Sequence, residues 1–185
     1  VSKSKILQAN TMVLTFVFAI SIALMGCPAP DQPVNEKPYT VPQGFPEPIF
    51  PTDNPANAEK IELGRKLFYD PMLSSDKTVA CASCHKQELA FTDGNQVSRG
   101  VNRELGTRNS PTIVNAAYNE RLFWDGRSAT IEEQALAAAT NPAEMRAVEP
   151  VIDLRLQQDS AYSIEFARAF GNGTKPTTRL SMKAI

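Results

Sequence analysis

Cys81-Ala82-Ser83-Cys84-His85 constrains this chain more than any other five residues in it. A C-x-x-C-H run places two thiols and an imidazole within one short turn. That turn can present both sulfurs to one porphyrin edge, where they add to the vinyl groups, and deliver the imidazole to the iron as axial ligand. Tetrahedral zinc, the first competing use, takes four ligands, and the motif supplies three. A thioredoxin-like dithiol, the second, opens a helix in a βαβ unit, and no such pattern surrounds residue 81. The motif therefore predicts one covalent haem c held by Cys81, Cys84 and His85. His85 is the single histidine of the chain, so mechanisms that need two histidines from one chain are excluded.

A cofactor of that size changes what the rest of the sequence must do. At 185 residues, 42% apolar and 21% charged, the chain has the composition of one globular domain. Its net charge of −1 gives no basic field for nucleic acid and no acidic block for a solvating tail. Three cysteines are too few for a disulfide framework.

The N-terminus reads as an export signal. Lys3 and Lys5 precede an apolar run from Met12 to Leu24. The run is shorter than the roughly 20 residues that span a bilayer and suits a signal-peptide core. It ends in Leu24-Met25-Gly26-Cys27, which resembles the bacterial lipobox, whose cysteine is lipidated and becomes the mature N-terminus. Residues 1–26 are then a lipoprotein signal peptide, and the protein is periplasmic, touching the membrane through acyl chains on Cys27. A non-lipidated signal, or an uncleaved anchor with Cys27 incidental, is the alternative. Residues 27–57 form a proline-rich linker, with nine of the fourteen prolines between Pro28 and Ala58. Such a stretch favours extended conformations and buries no core of its own, although its end can wrap onto the domain.

From residue 58 the pattern turns helical. Ile61, Gly64, Leu67 and Phe68 fall on one helical face, and Asp70-Pro71 stops that helix. Thr130 opens a capping box with Glu133 reaching back, and Asn141-Pro142 closes the helix. Tyr162, Phe166 and Phe170 lie four apart, with Gly171 where a C-terminal cap belongs. Glycines, asparagines and prolines between Lys86 and Gly126 indicate long loops. The expected fold is all-α with long loops, folded around the cofactor.

Several segments then carry a resemblance. Leu63-Gly64-Arg65-Lys66-Leu67-Phe68-Tyr69-Asp70, the haem motif, Phe91-Thr92-Asp93-Gly94 and Arg108-Asn109-Ser110-Pro111-Thr112 occur in order. Asn115-Ala116-Ala117-Tyr118, Phe123-Trp124-Asp125-Gly126-Arg127 and Asn141-Pro142-Ala143-Glu144-Met145 follow. Together they resemble the N-terminal half of bacterial di-haem cytochrome c peroxidases and their methylamine-utilisation relatives. The resemblance implies a cytochrome-c-like helical haem domain over residues 58–175, with hydrogen peroxide reduced to water at its haem. It also implies a second haem in a C-terminal domain, which residues 176–185 would begin to connect, and a chain truncated before it. Electrons would come from a small cytochrome or cupredoxin, and a homodimer is compatible with the family.

Residue roles carry over where positions match. Splitting an O–O bond needs a group that takes a proton from one oxygen and returns it to the other. Glu144 resembles the distal-pocket glutamate suited to that work, and Gln134 the glutamine that orients peroxide. Glu132 and Glu133 are the competing carboxylates and are assigned to the capped first turn. Trp124 resembles the tryptophan between the two haems, an electron relay in that setting and a buried packing aromatic otherwise. Asn109 resembles a residue that gives oxygen to an interdomain calcium. One departure stands out: where many members carry a displaceable iron-binding histidine, this chain has Val101. Its haem would then be open without reductive activation, which also suits oxidation of a partner protein, as in the methylamine-utilisation relatives. A mono-haem electron carrier with Met145 as sixth ligand is the remaining alternative, and Met72 is another soft ligand of the chain. If Cys27 is the anchor, Cys27→Ser is expected to move the protein from the membrane to the soluble periplasmic fraction. Unchanged partitioning on fractionation would show that Cys27 does not hold it.

Overall fold

A computed structural model describes residues 37–185, which form one compact unit. Six α-helices carry it: α1 (Ala58–Tyr69), α2 (Cys81–Cys84), α3 (Ile131–Thr140), α4 (Glu149–Gln158), α5 (Ser160–Phe170) and α6 (Thr178–Ala184). Short 3-10 turns punctuate the loops, and only isolated bridges, with no strands, occur among the described residues. The domain is all-α, as its sequence predicts. Cys27 and the predicted signal peptide lie outside the described residues.

Capping side chains set where the helices begin. Asn57 accepts from the Lys60 backbone N–H at 2.7 Å to open α1, and Asp70 ends it before Pro71. Thr130 accepts from the Glu133 N–H at 3.1 Å to open α3. The Glu133 carboxylate reaches one residue further back than the box predicts, to the N–H of Ala129. Asp159 caps α5 through Ala161 and Tyr162, and Gly171, at φ +105°, ends it.

Helix α1 packs on α5 and α6, α3 on α6, and α4 on both α5 and α6. The core is built from Leu63, Leu67, Leu73, Ile152, Leu156, Tyr162 and Phe166, all essentially sealed from solvent. Each such large side chain contributes about 1.5–3 kcal/mol by leaving water. The buried face of α1 runs through Lys60, Leu63, Gly64 and Leu67, so Ile61, 38% exposed, is not the core residue that the sequence suggested. Ile61 lies roughly 200° around the helix from Leu63 and faces outward. Phe68 turns instead toward the cavity described below.

Two boundaries differ from expectation. Residues 176–185 do not leave the domain: Thr178, Ser181 and Met182 of α6 are buried. The Asp153 carboxylate anchors α6 by accepting from the N–H and hydroxyl of Thr178 at 2.6 and 2.7 Å. The end of the proline-rich stretch also belongs to the folded unit. Buried Asn54 donates to Glu132 at 2.8 Å and to the Lys183 carbonyl at 3.0 Å, and Tyr118 donates to the Pro46 carbonyl. Lys60 buries its ammonium against Asn54, the Pro55 carbonyl and the Phe170 ring, and that burial lowers its pKa.

Gly64 is where α1 and α6 touch. A Cβ there would stand 1.8 Å from the Ala184 carbonyl oxygen, a backbone atom that cannot swing aside. Gly64→Ala is expected to destabilise the domain by about 1–3 kcal/mol through overpacking. A thermal melt of the haem-loaded protein should fall by roughly 2–4 °C per kcal/mol. An unchanged melting temperature would contradict this crossing.

Candidate functional site

The folded unit contains a cavity of about 500 Å³, within the size range of ordinary ligand sites. Cys81, Cys84 and His85 line it, as do Gln134, Glu144 and Met145. With Trp124, which also lines it, the structure brings six of the sequence-predicted site residues to one cavity.

Helix α2 is a single turn, closed by the His85 N–H on the Cys81 carbonyl at 2.9 Å. Ser83 assists by accepting from the Ala80 N–H at 3.0 Å. The His85 ring lies with Nδ1 3.0 Å from the Phe91 carbonyl oxygen. A carbonyl only accepts, so Nδ1 carries the proton and Nε2 keeps its lone pair for a metal. Holding that carbonyl in place strains the loop: Ala90 and Phe91 both adopt the left-handed region, at φ +54° and +59°. Hydrogen bonds from the Lys86 N–H to the Thr92 carbonyl and from the Thr112 hydroxyl to the Ala90 carbonyl secure it.

The donor set fits a thioether-linked haem. Burial pushes the Cys81 thiol up to about 11 and raises that of Cys84. Both cysteines are free, and no group of three His, Cys, Asp or Glu converges on a metal position among the described residues. Two thiols and an imidazole with one free nitrogen, facing a largely apolar cavity and lacking the fourth ligand of a tetrahedral ion site, match a porphyrin edge.

In the same cavity, α3 supplies Gln134 and the turn after it supplies Glu144. Burial raises the Glu144 carboxyl above the usual carboxylate range, opposed in part by a hydrogen bond from Asn141 and by the charge of Arg127. The Asn141 amide stands 2.7 Å from Glu144 Oε1. Behind Glu144 lies the loop that carries Val101. The Val101 N–H donates to the Glu144 carbonyl at 2.8 Å, and the Val101 side chain is 1% exposed. A Cβ on Gly100 would meet the carbonyl oxygens of Ala143 and Glu144 at 2.3 Å, so this approach requires glycine.

Trp124 lines the cavity but is 59% exposed, so it is not the buried packing aromatic of the alternative reading. Its Nε1 donates to the Asn109 carbonyl at 3.0 Å, while Asn109 itself is exposed. Asp125 ties Arg108 to Arg127 at 3.1 and 2.9 Å, which lowers its carboxyl and fixes the turn that presents Trp124. Glu132 and Glu133 sit in the first turn of α3, where Glu132 accepts from Asn54. Met145 is buried in the cavity wall, whereas Met72 does not line the cavity. Met182 does, and sequence reasoning missed it. It sits in the last helix without an apolar repeat that would have marked it.

The family model for di-haem cytochrome c peroxidase matches residues 58–185. The chain is 43% identical over 122 residues to cytochrome-c peroxidase IdrP1 of Pseudomonas sp. (strain SCT), covering 66% of this chain and 32% of the relative. It is 36% identical over 137 residues to cytochrome c peroxidase Ccp of Escherichia coli (strain K12), covering 72% of this chain and 30% of that protein. Methylamine utilization protein MauG of Methylophilus methylotrophus is 34% identical over 80% of this chain and 43% of its own length. The chain thus spans about a third of the first two relatives. Among solved structures, a MauG-like protein associated with microbial copper homeostasis superposes with a TM-score of 0.74 at 37% identity, over 80% of this chain and 44% of that one.

Proposed function

The chain belongs to the di-haem cytochrome c peroxidase family, and on that premise we propose that it is the peroxide-reducing haem domain of a larger periplasmic oxidoreductase. The observation that carries this reading is Glu144 and Gln134 lining the same cavity as Cys81, Cys84 and His85. A haem held by those three residues would supply the redox centre for breaking the O–O bond of hydrogen peroxide. Gln134 orients the peroxide by hydrogen bonding. Glu144 takes the proton from one oxygen and returns it to the other, so that one water leaves, and two electrons with two protons from solvent release the other oxygen as a second water. The half-buried position of Glu144 suits this, because burial brings a carboxyl closer to the operating pH.

The two electrons come from a small cytochrome or cupredoxin by way of a second haem domain. Trp124, half-exposed at the cavity wall, is placed to relay them, and Asn109 contributes to a calcium site at the same interface. The domain assembles as a homodimer and is tethered to the membrane through lipid on Cys27. Val101 leaves His85 as the only imidazole for iron, which favours an oxidised centre that meets peroxide without prior reduction. The same openness suits oxidation of a protein partner, a reading supported by the likeness to MauG. Met145 and Met182, both buried and both lining the cavity, favour a plain electron carrier instead.

The proton-carrier role fixes a pH dependence. Glu144 must be ionised to accept a proton, and burial raises its pKa. Turnover is therefore expected to fall as pH drops, with its midpoint above that of an ordinary carboxylate. Glu144→Gln should remove that limb, and Glu144→Ala should slow peroxide turnover by about 10²–10⁴. Steady-state peroxide kinetics across pH on the full-length, haem-loaded enzyme check this. A wild-type rate in Glu144→Ala would remove the residue from the mechanism.

A further inference from the structure

We propose that Asn141 is a positioning residue for this reaction: its side-chain amide aims the Glu144 carboxylate into the cavity and locks it to the helix that carries Gln134. The inference rests on the roles proposed for Glu144 and Gln134. It is carried by a set of hydrogen bonds that converge on one residue.

Asn141 is the C-cap of α3, its N–H donating to the Ala137 carbonyl at 3.0 Å. Its own carbonyl accepts from the N–H groups of Glu144 and Arg146, both at 3.0 Å, which turns the chain back toward the cavity. The side chain works in both directions at once. Oδ1 accepts from the Ala143 N–H at 3.0 Å, and Nδ2 donates to Glu144 Oε1 at 2.7 Å. The amide orientation is set by this network, because an N–H of Ala143 can face only an acceptor. The remaining Nδ2 end must therefore point at the carboxylate, which only accepts when ionised.

The consequence is mechanical. Gln134 sits on α3, and Asn141 fastens Glu144 to the end of that same helix. The other side of the turn is held by the Val101 N–H and by the lack of a side chain on Gly100. With the backbone fixed on two sides, the remaining freedom of Glu144 is rotation of its side chain, and the Asn141 amide removes it. A charge-assisted bond of this length is among the stronger single contacts a side chain can make. A carboxylate that drifts by an ångström loses alignment with both oxygens of a bound peroxide, and such misplacement can lower a rate by about 10²-fold.

Asn141→Asp separates this role from a merely structural one. The substitution keeps the size, the backbone cap and the Oδ1 acceptor for Ala143, and it exchanges only the donor for an oxygen that repels Glu144. Asn141→Asp, Glu144→Gln and the double variant are to be compared with wild type in the full-length, haem-loaded enzyme. The readouts are kcat and KM for hydrogen peroxide, the thermal melt and the haem absorbance. Asn141→Asp is expected to lower kcat by about 10–10²-fold with little change in KM. In the Glu144→Gln background the same change should cost no further turnover. The swapped pair should also regain any melting temperature lost in Asn141→Asp, because a donor again faces an acceptor. That comparison stands even if the single variant folds poorly. Wild-type kcat in Asn141→Asp, or an equal fold-loss in the Glu144→Gln background, would overturn the positioning role while leaving Glu144 in place. Wild-type kcat in Glu144→Gln would instead overturn the reading on which the inference rests.

Discussion

The cavity depends on the backbone of residues 139–147, and above all on which distant groups occupy its carbonyls. The Ser75 N–H takes the Met145 carbonyl at 2.9 Å, the Val101 N–H takes that of Glu144 at 2.8 Å, and the Ala147 N–H takes that of Ala139 at 2.8 Å. One short turn is thereby tied to the loop that precedes the cysteines, to the loop that follows His85, and to α3. Buried backbone groups left without partners are costly, so each of these bonds fixes a loop as well as satisfying an atom. Arg155 extends the same frame from α4, donating to the carbonyls of Met72, Ser74 and Ser75 at 2.7–3.0 Å. The loop leading to Cys81 and the turn bearing Glu144 therefore share one scaffold.

That arrangement explains how a small domain tolerates so much irregular chain. The helices form a core on one side, around Leu67, Ile152, Tyr162 and Phe166. The loops between α2 and α3 wall the cavity and are pinned by hydrogen bonds more than by apolar packing. Eight non-glycine residues adopt positive φ among the described residues, six of them from Ala90 to Phe123. Such conformations are unfavourable in isolation and persist where the surroundings over-determine them. Ala90 and Phe91 hold the carbonyl that orients His85, so the strain there serves the site directly.

Much of this was legible in the sequence, and the reasons differ by element. The caps of α3 and the four-residue spacing of Tyr162, Phe166 and Phe170 are local signals, and both helices lie where those signals put them. Helix α4 gave none. Val151, Ile152, Leu154 and Leu156 are apolar all round, and the structure buries Ile152 and Leu156 while leaving Val151 and Leu154 more than half exposed. The wall residues Cys81, Cys84 and His85 announce themselves by spacing. Gln134 and Glu144 were marked only by resemblance, since an isolated glutamine or glutamate carries no chemical signature. Met182 was invisible to both routes, and Asn141 was legible as a helix stop and as part of the resemblance but not as the partner of Glu144. Their importance comes from contacts made across the fold, which no local pattern encodes.

The central claim is that peroxide has an open face opposite His85, with Glu144 beside it. The electron paramagnetic resonance spectrum of the oxidised, full-length, haem-loaded protein tests this most directly. With no second histidine in this chain and Val101 turned into the core, the account predicts a high-spin ferric signal that changes on adding peroxide without reductant. A purely low-spin His–Met signature, unresponsive to peroxide, would contradict it and identify a buried methionine, Met145 or Met182, as the group closing the site.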